Sequence, residues 1–507
     1  MFAAVNSMGL FGLNAFPVDV EIAVSKGMPR FEIVGLADTA VQESRERIKS
    51  ALYACGILFP THSCVVNLAP ADTRKNGSMH DLPILMAILS ALGRVEVPRD
   101  AAIIGEVSLN GDVRRVNGVL PMTLMAKQRG LTTMYVPMEN AKEAAVVEGM
   151  TVYGVPSAAA LLAHFEGDAP LTPMGHVGLS EVPQPVVPDF SDVHGQNAAK
   201  YALELAAAGG HNALLIGPPG SGKSMLAKRM PGILPPLSFE ESIETTNIHS
   251  VAGLLDAEHP LVAVRPFRSP HHTISGAGLA GGGTIPHPGE ISLAHNGLLF
   301  LDELAEFDRR TLEILRQPLE DREVTISRAA GTVRYPCSIM LIAAMNPCPC
   351  GYLGHPTRPC SCNQRSAAAY LNRVSGPLLD RFDLHIEAAP VSFSELSDGK
   401  PEETSAEIRK RVMAARAIQN ERFKGTKITC NARITPDRLA VFCPMTDRAK
   451  QRLKSVFEKL GLSARAYDRL LKVARTSADL RGAEVITEAH IAEAVQYRTL
   501  DRKYWKQ

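Results

Sequence analysis

The spacing of hydrophobic and polar positions changes along the chain, and these changes predict its elements. In the first 165 residues, short runs rich in β-branched residues alternate with segments of helical period. The strand-like runs are Val18–Val24, Phe31–Val34 and Cys64–Asn67. The helical segments are 41–55, 82–92 and 122–128. This alternation predicts an α/β domain.

The pattern changes twice more. The stretch 166–190 is rich in proline and glycine and has no helical period, which predicts a linker. The second domain, 191–391, is followed by a C-terminal domain, 392–507. The C-terminal domain is predicted to be helical because apolar residues recur at helical spacing in Ala464–Leu480 and Glu488–Tyr497.

Composition narrows the class of protein. Hydrophobic residues make up 45% of the chain, as in an ordinary globular protein. The 54 basic and 53 acidic residues give a net charge of +1, so overall charge does not argue for a nucleic-acid partner. We find no secretory signal and no apolar run long enough to span a bilayer. We therefore expect a cytoplasmic protein without a membrane partner, whose nine cysteines are reduced.

One segment carries a phosphate-binding motif. GPPGSGKS fits G-x-x-x-x-G-K-[ST] and lies between an apolar run and a helical one, as that motif requires. Its residues are Gly217, Pro218, Pro219, Gly220, Ser221, Gly222, Lys223 and Ser224. The glycines let backbone N–H groups surround phosphate oxygens. Lys223 is predicted to bind the β- and γ-phosphates of ATP, and Ser224 to bind Mg²⁺.

Two later strands are predicted to complete the site. LLFLDE is an apolar strand that ends in Asp302 and Glu303. We expect Asp302 to hold the Mg²⁺ shell and Glu303 to polarise the attacking water. A second apolar strand ends at Asn346, which suits a sensor of the γ-phosphate, although an asparagine before proline is also a common turn residue.

Four cysteines lie close together in CPCGYLGHPTRPCSC: Cys348, Cys350, Cys360 and Cys362. Four thiolates on one short loop can form a closed tetrahedral zinc site of the structural kind. The C-x-C spacing departs from the usual C-x-x-C, so four reduced loop thiols are the alternative. His355 is a possible substitute ligand.

These motifs, together with SGPLLDRFD (375–383) and GLSARAYDR (461–469), resemble the ComM/YifB family of Mg-chelatase-like AAA+ ATPases over nearly the whole chain. The resemblance implies an AAA+ P-loop core with a helical lid, and a homohexameric ring promoted by ATP and DNA. It also implies that Arg381 is an arginine finger for a neighbouring subunit, Arg465 a sensor-2 arginine and Gln196 an adenine contact. A solvated or ion-paired arginine is the alternative for Arg381 and Arg465.

The same family places two insertions toward the pore of the ring. Here they correspond to the glycine-rich segment Arg268–Glu290 and to a predicted hairpin, Glu323–Pro336, with its turn at 329–331. Arg268, Arg328 and Arg334 are the candidate contacts with the DNA backbone. A surface hairpin with solvated arginines is the alternative.

The first domain resembles the proteolytic domain of Lon proteases in Val65–Leu89 and Gly105–Leu131. Met79 aligns with the position of the Lon serine and Leu120 with that of the Lon lysine. Ser78 is adjacent, but Lys127 lies two helical turns beyond position 120. A serine without a base is a poor nucleophile, so we expect a proteolytically inactive domain.

The resemblance favours one function over two others. It implies an ATP-dependent ring motor on single-stranded or branched DNA, a branch-migration helicase that promotes DNA integration during natural transformation. The alternatives are a chelatase-like motor and a protein-remodelling or protease ring. The chelatase motor generally has neither a Lon-like domain nor a four-cysteine loop.

Overall fold

The fold is seen in a computed structural model that describes the whole chain except residues 37, 184–185, 285, 330, 391–401, 499, 501–503 and 506–507. A first α/β domain, a P-loop core and a helical C-terminal domain follow one another, as predicted. In the described part of the chain, no helix has the length and apolar character needed to cross a membrane.

The first domain is built on an eight-stranded mixed sheet. Its strands are β1 (Phe2–Phe11), β2 (Asn14–Ser25), β3 (Arg30–Val34), β4 (Ser63–Ala69), β5 (Ala101–Ile103), β6 (Glu106–Val107), β7 (Val113–Arg114), β8 (Thr133–Pro137), β9 (Thr151–Val155) and β10 (Pro173–Met174). The sheet order is β10-β9-β8-β5-β1-β2-β4-β3, and β6 pairs with β7 apart from it. The helices are Thr39–Ala54, Asp81–Ala91, Val119–Gln128, Ala141–Ala144 and Ala158–Glu166.

The predicted linker contributes to this sheet. Strand β10 lies within 166–190 and pairs with β9, with Met174 opposite Val152. Farther on, Val182 is buried against the first domain in a cluster with Leu120. Proline is tolerated in β10 because it is an edge strand. The predicted boundary at 391–392, by contrast, lies outside the described residues.

The second domain contains a parallel sheet whose order is β12-β15-β18-β11-β19. Its strands are β11 (Ala213–Ile216), β12 (Phe267–Arg268), β15 (Leu298–Leu301), β18 (Met340–Met345) and β19 (Leu384–Glu387). The helices are Asn197–Gly209, Lys223–Arg229, Phe239–Val251, Gly276–Ala280, Glu290–Leu293, Arg309–Ile314, Arg316–Asp321, Gln364–Leu371 and Gly376–Leu379. Strands β11, β15 and β18 are apolar throughout because helices cover both faces of the sheet.

Two small hairpins project from this core. Strands β13 (Gly281–Gly282) and β14 (His287–Pro288) form one, and β16 (Glu323–Arg328) and β17 (Gly331–Pro336) form the other. The two touch each other, since the Tyr335 hydroxyl donates to Pro286 O at 2.8 Å. The turn of β1–β2 packs on the second hairpin, where a Cβ at Gly331 would lie 2.8 Å from the Phe11 ring.

The C-terminal domain consists of helices Ser405–Arg422, Leu439–Phe442, Asp447–Leu460, Ala464–Leu480 and Glu488–Gln496. Thr404 and Glu407 begin the first of them with a capping box. The domain packs on the core beside helix Asn197–Gly209 and shares an apolar cluster with it. A hydrogen bond of 2.7 Å between His211 Nε2 and Thr476 Oγ1 also joins the two parts.

Candidate nucleotide site

The P-loop has the backbone shape that phosphate binding requires. Gly220 and Gly222 adopt positive φ angles of +77° and +81°, which favour glycine. A Cβ at Gly217 would lie 2.2 Å from Ala388 O, so only glycine fits where the loop leaves β11. These positions leave the loop's N–H groups and the start of helix Lys223–Arg229 available to an anion.

Lys223 is buried beneath this loop. Its ammonium group donates to Gly217 O and Pro218 O, both at 2.8 Å, and to Asn346 Oδ1 at 3.2 Å. Burial lowers the pKa of Lys223 to about 8, an effect that Asp302 partly opposes. A desolvated ammonium held by neutral oxygen acceptors is suited to exchange them for phosphate oxygens.

The two acidic residues occupy different surroundings. Asp302 Oδ2 accepts a hydrogen bond of 2.6 Å from Ser224 Oγ, so the two groups expected to share Mg²⁺ already touch. Glu303 has a left-handed backbone with φ of 51°, and its side chain is 57% exposed. Its carboxylate can therefore reach a water molecule between the acids and a γ-phosphate.

Asn346 and Gln196 both lie against the P-loop. Asn346 follows β18 directly, next to β11 and β15, so its contact with Lys223 results from the order of the parallel strands. Gln196 Nε2 donates to Ser221 O at 3.0 Å and to Ala389 O. Gln196 therefore supports the loop from the side, and its contact with adenine remains a proposal.

The two predicted arginines lie away from the chain's own P-loop. Arg381 is 7% exposed, precedes β19 and forms an ion pair with Glu320. Arg465 is exposed in the first turn of helix Ala464–Leu480. The roles of Arg381 as an arginine finger for a neighbouring subunit and of Arg465 as the sensor-2 arginine of the helical lid remain proposals.

The four clustered cysteines meet at one point. Cys348 Sγ lies 3.4 Å from Cys350 Sγ and 3.7 Å from Cys360 Sγ, and all four sulfur atoms lie within 4.8 Å of one another. A tetrahedral zinc with Zn–S bonds of about 2.3 Å requires sulfur atoms about 3.8 Å apart. The cluster is thus compatible with a structural zinc.

This cysteine loop is attached to the nucleotide site. It begins two residues after Asn346. A Cβ at Gly351, whose φ is +83°, would lie 2.4 Å from the Pro219 ring of the P-loop. The loop therefore supports both the sensor position and the phosphate-binding loop. Backbone hydrogen bonds, led by that of Tyr352, lower the pKa of Cys350 to about 5, which favours a thiolate ligand.

Comparison with known proteins agrees with this geometry. Family models described as magnesium chelatase subunit ChlI match residues 189–396 and 20–140, and one for the ChlI C-terminal region matches 402–498. The uncharacterized protein YifB of Salmonella typhimurium is 42% identical over 505 residues, covering 99% of this chain and 97% of that protein. Competence protein ComM of Haemophilus influenzae is 41% identical over 507 residues, covering 99% and 98%. The chain belongs to the ComM/YifB family of Mg-chelatase-like AAA+ ATPases.

Membership in this family confirms the predicted fold and indicates an ATPase that uses ATP and Mg²⁺. The likeness to proteases is confined to the first domain. Lon protease 1 of Myxococcus xanthus is 30% identical over 130 residues, covering 24% of this chain and 16% of that protein.

The two positions that align with the Lon serine and lysine carry apolar side chains in this domain. Leu120 is completely buried, and Met79 packs in a neighbouring apolar cluster. Ser78 donates to Glu106, while Lys127 donates to Glu148 O at 2.6 Å and so does not serve Ser78. This geometry supports the expectation of an inactive protease domain in this ComM/YifB member.

The three candidate DNA-contacting arginines differ in their surroundings. Arg268 Nε and Nη2 donate to the two carboxylate oxygens of Glu290 at 2.6 Å each, at the edge of the core sheet. This bidentate pair uses Nε and Nη2 and leaves the side chain 31% exposed, so a contact of Arg268 with DNA remains a proposal. Arg328 and Arg334 are exposed on the second hairpin, and Arg334 lies only 4.0 Å from Glu323.

One residue of the site was missed by sequence reasoning. His272 Nδ1 lies 3.2 Å from Glu303 Oε2, and the ring is next to that of His271. The tandem histidines of the first insertion were visible in the sequence. Nothing there indicated that this segment returns to Glu303, because the contact depends on how β12 and β15 pair.

Proposed function

We propose that this chain is an ATP-driven ring motor of the cytoplasm that moves branched DNA, acting in natural transformation as a branch-migration helicase. The observation that carries this proposal is the position of the hairpin β16–β17. In the chain it lies between the strand followed by Asp302 and Glu303 and the strand followed by Asn346, and it exposes Arg328 and Arg334. The full-length similarity to a competence protein supports a role in natural transformation.

The hairpin is suited to a backbone contact. Val324, Ile326, Val333 and Tyr335 are buried and anchor it to the core. Arg334 is 72% exposed on the opposite face, and Arg328 Nη1 donates only to Ser327 O in its own strand. Phosphate recognition needs positive charge without a base-reading pattern, which fits sequence-independent movement.

A series of contacts connects the hairpin with hydrolysis. The hairpin touches the first insertion through the hydrogen bond from Tyr335 to Pro286. That insertion carries His272, which contacts Glu303. We propose that DNA bound to the hairpin shifts the insertion and releases Glu303 from His272, so that hydrolysis follows DNA binding.

The second candidate function is a chelatase-like motor. One observation favours it, since a model named for the ChlI subunit also matches residues 20–140 of the first domain. The first domain alone therefore does not separate the two functions. A protein-remodelling or protease ring is less favoured because the dyad positions of the first domain, Met79 and Leu120, carry apolar side chains.

The double variant Arg328→Ala with Arg334→Ala tests the DNA motor. We expect weaker DNA binding for every sequence, and a salt dependence shallower by about one unit per lost phosphate contact. ATPase activity without DNA should persist, because neither side chain contacts the nucleotide site. The measurements are DNA affinity at several salt concentrations, junction migration and DNA-free ATPase.

The matched control replaces two exposed arginines of the first domain, Arg94→Ala with Arg129→Ala, and should leave junction migration unchanged. Wild-type migration in the hairpin variant would remove these arginines as DNA contacts. A wild-type ring that neither binds DNA nor moves junctions would favour the chelatase-like motor.

We also propose one structural zinc per chain, held by Cys348, Cys350, Cys360 and Cys362. Cys360→Ser should lower both the zinc content and the folded yield, because structural zinc sites contribute on the order of 10–16 kcal/mol. Metal analysis of protein purified without added zinc measures the zinc content, and the soluble yield measures folding. The control Cys55→Ser lies outside the cluster and should retain its zinc. Full activity with almost no zinc in the wild type would disprove the site.

A further inference from the structure

A basic cavity lies between the P-loop core and the C-terminal domain. Its volume is about 170 Å³, room for roughly five or six water molecules at about 30 Å³ each. Five cations line it: Arg322, Arg381, Arg433, Arg469 and Lys472. Two carboxylates, those of Glu320 and Asp383, line the cavity with them. The cations therefore outnumber the acids, which is the composition of a site for an anion.

Two of these cations have N–H groups without a hydrogen-bond partner. Nε and Nη1 of the buried Arg381 have no hydrogen-bond partner among the described residues, and neither has Nη1 of Arg469. Burial lowers the pKa of Arg469, with Asp383 opposing it and Arg381 adding to it, and burial also lowers the pKa of Lys472. Buried N–H groups without a hydrogen-bond partner are unfavourable, so an anion with several oxygens would stabilise the cavity.

The chain's own nucleotide cannot supply that anion. Asn212, Ile339 and Asp383 line the cavity and directly precede strands β11, β18 and β19. The P-loop follows the opposite end of β11, and a four-residue strand alone spans about 13 Å. The two sites thus lie at opposite edges of the sheet. The phosphate must come from the nucleotide of a neighbouring copy or from a free anion.

The helix that lines the cavity favours the neighbouring copy. Arg465, Arg469 and Lys472 are spaced i, i+4 and i+7 in helix Ala464–Leu480, so they share one face. Arg465 is exposed, whereas Arg469 and Lys472 are partly buried. Arg465, Arg469 and Lys472 thus form a row of positive charges that leads from the surface toward Arg381. A phosphate group entering along this row would meet a cation at each step. A small free anion enclosed at Arg381 would not need the exposed end of that row.

We propose that Arg469 and Lys472 join Arg381 in binding the terminal phosphates of the ATP held by a neighbouring copy of this chain. Glu320 occupies Arg381 until that nucleotide arrives and then exchanges with it. This inference rests on the ring assembly of the proposed function. It adds Arg469 and Lys472 of the C-terminal domain to the hydrolytic site. It also gives Glu320 the role of pairing with Arg381 in the single chain.

The first test replaces Arg469 and Lys472 separately by glutamine. Each variant should lose about 10- to 100-fold in DNA-stimulated ATPase, as expected for a lost hydrogen bond to a charged group. ATP affinity of the unassembled chain should not change, because the P-loop is at the other edge of the sheet. Arg469→Lys should recover part of the rate. The control Arg452→Gln removes the same charge from an exposed site of the same domain and should have wild-type activity.

The decisive test mixes Arg469→Gln, which retains about a hundredth to a tenth of the wild-type rate, with Lys223→Ala, which is inactive. In mixed rings, an intact P-loop on the first variant can meet an intact cavity on the second, at roughly a quarter of the interfaces for equal mixing. We expect ATPase to recover toward that fraction of the wild-type rate. Titration of inorganic pyrophosphate into the unassembled wild-type chain, without ATP, tests the free-anion source and should show no tight binding at this cavity.

The outcomes are distinguishable. If wild-type rings form and move junctions but the mixture shows no recovery, this inference fails while the proposed function stands. Tight pyrophosphate binding that Arg469→Gln abolishes, without recovery in the mixture, would assign the cavity to a free anion instead. If the wild type forms no ring, both the proposed function and this inference are wrong. If Arg469→Gln loses its cooperative thermal unfolding, Lys472→Gln takes its place in the mixing test, because it keeps the Arg469–Asp383 ion pair.

Discussion

Glu303→Gln is expected to abolish ATP turnover while leaving ATP binding intact. The substitution keeps the shape of the side chain but removes the charge that polarises the attacking water, and such groups contribute about 10²- to 10⁴-fold in rate. Lys223, Ser224 and Asp302 remain, so phosphates and Mg²⁺ should bind as before. The variant should therefore accumulate ATP-loaded rings, measured by retained nucleotide and by particle mass.

The matched control is Glu306→Gln, one helical turn away, whose carboxylate contacts Arg373. That control should hydrolyse ATP at the wild-type rate, because its carboxylate is engaged outside the nucleotide site. His272→Ala should also differ from Glu303→Gln. It should raise DNA-free hydrolysis if His272 restrains Glu303 in the free ring. Normal turnover by Glu303→Gln would show that another group activates the water.

Lys223→Ala is expected to abolish turnover for another reason, through loss of ATP affinity. The ammonium is the cation expected to meet the β- and γ-phosphates, and its absence leaves their charge to the backbone alone. ATP binding, measured by calorimetry or with a fluorescent analogue, should weaken strongly. Lys228→Ala removes an exposed lysine from the same helix and should bind ATP normally.

The pH dependence of ATP binding gives a second measurement on Lys223. Because burial holds its pKa near 8 in the nucleotide-free protein, the ammonium is present below that pH and is lost above it. ATP affinity should therefore fall as the pH rises through about 8, and binding above that pH should take up a proton. In Lys223→Ala this part of the pH dependence should be missing. An unchanged profile would mean that Lys223 does not set ATP affinity.

The cysteine loop and the basic cavity lie at opposite edges of the core sheet. The loop contacts Pro219 and begins two residues after Asn346, so loss of the proposed zinc would loosen both. The cavity precedes β11, β18 and β19 at the opposite edge. In the ring that we propose, each subunit would bind its own nucleotide at one edge of the sheet and contact its neighbour's at the other.

The sequence alone determined the local features. GPPGSGKS, the acids after Leu301, Asn346 and the two halves of the hairpin are each encoded in a short stretch with its own turn or strand pattern. Such stretches form their local structure wherever the chain places them, so their elements could be predicted. The four cysteines were also close enough in sequence to predict their meeting.

Only the tertiary structure decided how distant stretches pair. Arg268 pairs with Glu290, His272 reaches Glu303, and Pro173–Met174 extends the first sheet. Arg381 meets Arg469 across the boundary between core and lid, 88 residues apart in numbering. The strand order and the docking of the lid fix these contacts. Both are set by burial of apolar surface over the whole fold, which no short pattern of residues records.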